Sequence, residues 1–337
     1  MKKLLALLLV LTMLFALVAC SGQNDAPATE APTEPSTEAP TEPATETPTE
    51  PTVETTDEAS PAYVENAVSV PSTTGDYDIP TILTIPEGEG PFPLVVLIHG
   101  LSGSKEENIG FTYISRVLAQ TGIATIRFDQ PGCGESTLDF TNYCYSENIN
   151  NSNDCLAYAL ANANIDETKL GILGYSMGGA ATNIITSRED NPYAVRVLLA
   201  PAYELADLYE TAYDNLATAE KDGYVPFMFF GKELHLSAQY YKDVIDYVEN
   251  REKVLETADL PTLLITGTED TTVAYEEAVA LGKALHADIL SLDGVDHGYG
   301  FYNGPDGFET MDTIATTVAG FFYTHLTDNN AAAMFGE

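Results

Sequence analysis

The stretch Gly174-Tyr175-Ser176-Met177-Gly178-Gly179 decides how the chain folds around it. It follows an apolar run at 170–173, which predicts a buried strand, and it precedes an amphipathic run that predicts a helix from Met177 onward. A Gly-x-Ser-x-Gly sequence between a strand and a helix is the pattern of a nucleophile elbow, a tight turn that exposes the serine hydroxyl. The sequence therefore predicts Ser176 as a nucleophile at the carboxyl end of a strand.

Short apolar runs alternate with amphipathic stretches on both sides of this motif. Two early runs predict a strand pair, and the later runs predict buried strands. The predicted strands cover residues 64–70, 79–85, 94–98, 123–128, 170–174, 195–199, 261–266 and 288–292. The predicted helices cover residues 108–120, 152–163, 177–188, 275–286 and 308–325. Apolar strands alternating with helices predict an α/β fold with a doubly wound, mostly parallel sheet covered on both faces.

Residues 203–258 interrupt this alternation. They are rich in tyrosine and phenylalanine, and their pattern favours helices. We interpret them as a helical lid inserted between two core strands. Most of these rings are expected to pack the insertion onto the core, and together they suggest an apolar slot for an aromatic group.

A serine nucleophile needs a base that is held by a carboxylate, and in this kind of sheet the chain order is serine, acid, histidine. His297 lies in a loop after the last predicted strand and fits that order. The remaining histidines are too early in the chain or lie on predicted helices: His99, His235, His286 and His325. The sequence therefore predicts His297 as the base.

The acid is expected at the end of the strand that follows the insertion. Asp270 lies there in a Gly-x-x-Asp-x-x-Val pattern, which begins at Gly267. Glu269 is the alternative. Asp296 is a poor candidate, because a residue adjacent to His297 in sequence cannot easily face its Nδ1 atom. We predict Asp270 as the third member of a catalytic triad.

An oxyanion hole needs two backbone N–H groups directed at the developing negative charge. Met177 follows the nucleophile and is predicted to supply one. Leu101, in the loop after the strand at 94–98, is predicted to supply the other, with His99 shaping that loop. The chain has no His-Glu-x-x-His motif, no paired Cys/His ligand set and no glycine-rich phosphate loop, so we expect neither a metal nor an organic cofactor.

The first twenty residues have the pattern of an export signal, with a short basic start, an apolar run and small residues before Cys20. The end of this segment, Leu17-Val18-Ala19-Cys20, resembles the lipobox of bacterial lipoproteins. That resemblance implies a lipid on Cys20 and a membrane-anchored domain outside the cytoplasm. A plain secretory signal or an uncleaved anchor is the alternative.

Residues 21–61 are rich in threonine, glutamate and proline and are interpreted as a disordered linker. We assign 62–327 to the catalytic domain and 328–337 to a tail.

The chain has 51 acidic and 14 basic residues, a net charge of −37, which makes nucleic-acid binding improbable. Three cysteines other than Cys20 allow at most one intramolecular disulfide. Cys144 and Cys155 flank a polar loop and could pair, and this stays open.

The order of the motifs resembles that of bacterial cinnamoyl and feruloyl esterases of the α/β-hydrolase superfamily. The motifs that carry it are His99-Gly100, the run from Asp129 to Ser136, the elbow, Leu199-Ala200-Pro201-Ala202, Gly267-Thr268-Glu269-Asp270 and Asp296-His297. The resemblance implies the α/β-hydrolase fold and hydrolysis of a small or polysaccharide-linked carboxylic ester through an acyl-enzyme. It also implies that Asp207 and Tyr240 in the lid bind a phenolic acyl group.

Two other functions stay open. An acyl-aminoacyl peptidase-like enzyme would also suit the elbow sequence, although such peptidases usually carry a propeller domain, for which the sixty preceding residues are too few. A surface binding module without catalysis is the other, and it would have no need of three matched residues at three strand ends.

Overall fold

A computed structural model describes residues 62–301 and 307–327 of the protein. The predicted signal, linker and tail, including Cys20, lie outside the described residues. The strands are β1 (Tyr63–Pro71), β2 (Asp78–Pro86), β3 (Phe92–Ile98), β4 (Ala124–Phe128), β5 (Ile165–Tyr175), β6 (Val195–Leu199), β7 (Val225–Phe229), β8 (Lys232–Leu236), β9 (Thr262–Gly267) and β10 (Asp288–Leu292).

The helices cover both faces of the sheet. They are α1 (Gly110–Gln120), α2 (Tyr145–Asn162), α3 (Met177–Thr186), α4 (Ala206–Asp222), α5 (Ala238–Asn250), α6 (Tyr275–Ala284) and α7 (Phe308–Leu326), with 3₁₀ turns at Phe140–Asn142 and Arg251–Thr257. Within 62–301 and 307–327, none of the helices combines the length and apolarity needed to cross a membrane.

Eight strands form one sheet in the order β1-β2-β4-β3-β5-β6-β9-β10. The pairs β1–β2 and β2–β4 are antiparallel, and the remaining neighbours are parallel. The predicted α/β class and mostly parallel sheet are confirmed. The carboxyl ends of β3, β5, β9 and β10 lie at one edge, which brings together the loops in which the sequence places the candidate site.

Side chains alternate across the sheet and build a core on each face. In β3, Leu94 and Val96 belong to the core under α2, α3 and α6, whereas Val95 and Leu97 belong to the core under α1 and α7. All four are fully buried, and each contributes about 1.5–3 kcal/mol to the free energy of unfolding. Strand β3 is therefore packed against helices on both faces of the sheet. This packing fixes the position of the loop that follows β3.

Helix α2 begins at Tyr145, seven residues before the predicted start. The segment from Glu147 to Asp154 is rich in asparagine, which has low helix propensity. Its first turn is stabilised from outside, because the Asp243 carboxylate on α5 accepts hydrogen bonds from the Ser146 N–H at 2.7 Å and the Ser146 hydroxyl at 2.8 Å. A carboxylate at a helix N-terminus satisfies a free N–H and complements the helix dipole.

The early start of α2 also decides the disulfide question. Cys144 is the residue before α2 and Cys155 lies within it, so eleven residues of helix separate the two by about 16 Å along the axis. The expected polar loop between them is absent from this part of the chain, and the two cysteines cannot pair. Both are buried free thiols, as is Cys133. Burial raises the pKa of the Cys133 and Cys144 thiols to about 12.

The insertion is not purely helical, which corrects the prediction for 203–258. Between α4 and α5 it forms an antiparallel hairpin of β7 and β8. Phe230 and Gly231 connect the strands with φ of 45° and 77°, as a two-residue turn with positive φ at both positions requires. Alternation along β7, with Val225, Phe227 and Phe229 half-buried and the residues between them exposed, is the pattern of a strand.

Candidate active site

Ser176 lies in the turn between β5 and α3, with φ 55° and ψ −119°. This left-handed conformation costs a residue that carries a Cβ atom about 1–3 kcal/mol. Glycines allow the close approach around it, since a Cβ on Gly178 would lie 2.1 Å from the carbonyl oxygen of Ile98. A Cβ on Gly174 would lie 2.3 Å from the Gly178 carbonyl oxygen. The turn therefore has the geometry of a nucleophile elbow.

The three residues predicted as a triad lie together at the carboxyl edge of the sheet. The Nε2 atom of His297 lies 3.0 Å from the Ser176 Oγ atom, and its Nδ1 atom lies 2.7 Å from Oδ2 of Asp270. All three are at least nine-tenths buried. With the proton on Nδ1, the imidazole donates to Asp270 and accepts from the Ser176 hydroxyl. This is the arrangement in which a histidine can remove the serine proton.

The backbone of its own loop orients the Asp270 carboxylate. Oδ1 accepts hydrogen bonds from the N–H groups of Thr272 and Val273, each at 2.9 Å. This leaves Oδ2 free for His297. The loop is packed tightly against the histidine loop, because a Cβ on Gly267 would lie 2.1 Å from the Val295 carbonyl oxygen. Asp270 is therefore held at one orientation relative to the imidazole.

Tyr175, the variable residue of the elbow motif, supports the histidine. Its hydroxyl donates a 2.8 Å hydrogen bond to the carbonyl oxygen of His297. Its ring stacks on the imidazole, with ring centroids 5.2 Å apart and planes 29° apart. Tyr175 is not predicted as a site residue from the sequence, although an aromatic residue beside the nucleophile is a signal for it.

The loop after β3 is held by buried polar contacts. His99 accepts a hydrogen bond at Nε2 from the Gln130 N–H, and its Nδ1 lies 2.8 Å from the Gly100 carbonyl oxygen, so both ring nitrogens are engaged with backbone. The Glu107 carboxylate accepts a 3.0 Å hydrogen bond from the Gly100 N–H. Glu107 has no motif in the sequence that predicts this role. Together these contacts position the backbone that leads into Leu101.

Leu101 and Met177 are the two residues predicted to supply the oxyanion donors. Met177 is the first residue of α3, so its N–H belongs to a helix turn that has no acceptor within the helix. Leu101 lines the cavity that contains Ser176. Their roles as donors stay predictions.

A cavity of about 550 Å³ opens onto Ser176 and His297. The hairpin contributes Phe229, Phe230 and Lys232 to its wall, and the loop after β3 contributes Gly100, Leu101 and Ser102. The two phenylalanine rings meet edge to face with centroids 4.7 Å apart. Phe229 and Phe230 belong to the aromatic residues from which the sequence predicts an apolar slot, whereas Lys232 and the hairpin are not predicted, although the alternating pattern before Gly231 is a signal for a hairpin.

Asp207 and Tyr240, predicted as substrate contacts, do not line this cavity. Tyr240 is on the buried face of α5, with its ring 6.4 Å from that of Tyr143 and 5.4 Å from that of Tyr241. Asp207 is exposed in the first turn of α4. The prediction carried these two positions over from the lid of the similar esterases. Here the hairpin takes that place, and Tyr240 packs the insertion onto the core.

No group of three or more histidine, cysteine or acidic side chains in the described parts of the chain is arranged to hold a metal ion. The polar groups around Ser176 are those of proton transfer and hydrogen bonding.

The sequence model of the prolyl oligopeptidase family matches residues 110–302, more than half of the chain. The chain belongs to this family. The matched segment begins at α1 and extends through the elbow and the loops that carry Asp270 and His297. The predicted α/β-hydrolase fold is confirmed. This chain is a hydrolase of the α/β-hydrolase superfamily.

Two curated proteins are similar in sequence. Esterase EstD of Thermotoga maritima is 26% identical over 241 residues, which cover 65% of this chain and 57% of EstD. The 2,6-dihydropseudooxynicotine hydrolase of Paenarthrobacter nicotinovorans is 33% identical over 103 residues, 30% of this chain and 26% of that enzyme. The chain thus spans between a quarter and just over half of these relatives.

Two solved structures share the fold. Est1E from Butyrivibrio proteoclasticus with bound ferulic acid has a TM-score of 0.59 at 20% identity, covering 75% of this chain and 100% of Est1E. The Pyrococcus furiosus esterase PF2001 has a TM-score of 0.54 at 17% identity, covering 79% of this chain and 92% of that one. At these identities the likeness is one of fold.

Proposed function

We propose that the protein is a serine hydrolase of carboxylic esters that works through an acyl-enzyme. The observation that carries this proposal is the continuous hydrogen-bond chain from Ser176 through His297 to Asp270 at the wall of a cavity. The esterase EstD, similar over 65% of the chain, supports the choice of esters.

The reaction follows from this geometry. His297 takes the hydroxyl proton as the Ser176 Oγ atom bonds to the ester carbonyl carbon, and the N–H groups of Leu101 and Met177 stabilise the oxyanion. His297 then gives the proton to the departing alcohol oxygen as the carbon–oxygen bond breaks. Water repeats the sequence: it loses a proton to His297, attacks the acyl-enzyme and releases the carboxylic acid and free Ser176.

We propose small esters, including hydroxycinnamoyl esters, as substrates. A cavity of about 550 Å³ is the size of sites that enclose a drug-sized molecule. Phe229 and Phe230 supply aromatic surface for an acyl or alcohol group. Ferulic acid bound to Est1E, a protein of the same fold, is consistent with this substrate class.

A peptidase is the second candidate, because the family whose model matches the chain is that of prolyl oligopeptidase. The same triad would cleave an amide if the cavity positioned a peptide. The two functions differ in the bond that is cleaved, so matched ester and amide substrates separate them.

The first experiment combines labelling with a substrate panel. We expect a fluorophosphonate probe to label Ser176 stoichiometrically, since the hydroxyl is activated by His297. We expect methyl ferulate and 4-nitrophenyl acetate to be hydrolysed with kcat/KM at least about 100-fold above that of alanyl and prolyl 4-nitroanilides, because amides are the harder bonds to cleave. Faster cleavage of the anilides would establish the peptidase, and absence of labelling would leave a binding module.

We also propose that the protein is exported and anchored to the bacterial membrane by a lipid on Cys20, which the sequence of residues 1–20 supports. Cys20→Ser should move the protein from the membrane fraction to the medium or leave an unprocessed precursor, since the acceptor of the lipid is lost. Fractionation with mass spectrometry measures this. A Cys20→Ser protein that is still lipidated and membrane-bound would refute the anchor.

A further inference from the structure

Lys232 is an exposed lysine that lines the cavity. Its ammonium has the Ser102 hydroxyl, at 3.3 Å, as its hydrogen-bond partner, and among the described residues no carboxylate forms an ion pair with it. Lys105, by contrast, is bound by Asp129 at 2.8 Å and Glu135 at 2.6 Å. In a chain with 51 acidic and 14 basic residues, a lysine without a carboxylate partner has a charge that remains available to a ligand.

Lys232 lies close enough to the reacting groups for its charge to act on a bound substrate. It is the first residue of β8, directly after the hairpin turn that carries Phe230, and it lines the same cavity as Ser176 and His297. Its partner Ser102 follows Leu101, the predicted oxyanion donor. The ammonium therefore lies between the hairpin and the oxyanion loop, where one of its three N–H groups contacts Ser102 and the others are available.

The other two charged residues that line the cavity are carboxylates, which do not attract an anion. Glu107 and Asp296 line it too, and each is already bonded to backbone, Glu107 to the Gly100 N–H at 3.0 Å and Asp296 to the Gly298 N–H at 2.9 Å. Lys232 is the one lysine or arginine among the described lining residues. Any preference for a negative group must therefore depend on this side chain.

We propose that Lys232, together with the Ser102 hydroxyl, forms a subsite for a carboxylate carried by the ester substrate. This inference rests on the proposed ester hydrolysis and adds to it a preference for esters that carry a carboxylate. The carboxylate can belong to the alcohol side or to the acyl side of the ester, and the same ammonium would bind it in both cases.

Two substrate pairs test the subsite, each with a charged and a neutral member. For the alcohol side the pair is 4-carboxyphenyl acetate and 4-(methoxycarbonyl)phenyl acetate. For the acyl side the pair is the mono-4-nitrophenyl ester of terephthalic acid and the corresponding methyl 4-nitrophenyl diester, in which the carboxylate cannot reach the ester carbonyl. The quantity measured is the ratio of kcat/KM for the charged ester to that for the neutral ester, in which a general effect of a substitution on catalysis cancels.

We expect Lys232→Met to lower this ratio about five-fold in one of the pairs, as for a partly solvated ion pair, and Lys232→Glu to lower it further. Lys232→Arg should keep the ratio near that of the wild type, and 0.5 M salt should reduce the wild-type preference. Lys253→Met is the matched control, because Lys253 is an exposed lysine of the same insertion that does not line the cavity.

A ratio that stays within two-fold in both pairs for Lys232→Met and Lys232→Glu, while the neutral esters are hydrolysed, overturns the subsite alone. A wild-type protein that hydrolyses none of the four esters overturns the proposed ester hydrolysis as well. A fall of equal size in the Lys253→Met control would show a long-range charge effect and would also overturn the subsite.

Discussion

Replacement of Ser176 by alanine is expected to lower kcat for ester hydrolysis by about 10⁴- to 10⁶-fold. The substitution removes the Oγ atom that lies 3.0 Å from His297 Nε2 and leaves no nucleophile at the elbow. The fold should persist, because alanine has the same Cβ atom as serine and therefore the same backbone cost at φ 55°. Steady-state rates measure the effect, and circular dichroism with thermal denaturation checks the fold.

Ser187→Ala is the matched control. Ser187 lies just after the last residue of α3, the helix that Ser176 precedes, and its hydroxyl is bonded to the Ile184 carbonyl oxygen. It should keep nearly full activity and full labelling by the fluorophosphonate. If Ser176→Ala retained wild-type turnover, the nucleophile would have to be another residue.

Asp270→Asn is expected to lower kcat by about 10⁴-fold. The Oδ1 atom of Asp270 accepts from the Thr272 and Val273 N–H groups, so the single oxygen of an asparagine would be drawn to those two donors. Its NH₂ group would then face His297 Nδ1 and donate to it. That contact favours the imidazole tautomer with its proton on Nε2, which cannot accept the proton of Ser176.

Glu269→Gln is the control for this substitution, since Glu269 is the neighbouring acid that sequence alone leaves as an alternative, and it is exposed. It should retain activity within a few-fold. The double variant Ser176→Ala, Asp270→Asn should be little slower than Ser176→Ala, because the three residues act as a unit. If the losses in kcat of the two single variants multiplied in the double variant, or if Glu269→Gln were inactive, the assignment of Asp270 would be contradicted.

The strands of the sheet and the placement of the three site residues could be predicted because both depend on local pattern and chain order. A strand such as β3 is apolar throughout, and Ser176, Asp270 and His297 each follow such a strand. Parallel strands end at one edge, so residues far apart in sequence meet without any knowledge of the contacts between them.

The remaining features depend on contacts between distant segments. The first turn of α2 is stabilised by Asp243, which is about a hundred residues away, and the support of His297 by Tyr175 requires two loops to be in place. The hairpin in the insertion has a local signal, but the many aromatic residues there fit a helix face and a strand almost equally well. Asp207 and Tyr240 come from the resemblance to esterases, and in this chain neither lines the cavity at Ser176.

Ser176 and His297, which exchange the proton, follow strands that differ in how many neighbouring strands they pair with. Ser176 follows β5, which is paired on both sides, whereas His297 follows β10, which in the described sheet is paired only with β9. An edge strand opens at a lower free energy than a central one, so local unfolding at this edge removes the base while the elbow stays folded. The hydrogen bond from the Tyr175 hydroxyl to the His297 carbonyl oxygen opposes such opening. The loop that carries His297 can move away only if this buried hydrogen bond breaks. The residue between the glycine and the serine of the motif thus links the folded elbow to the loop that carries the base.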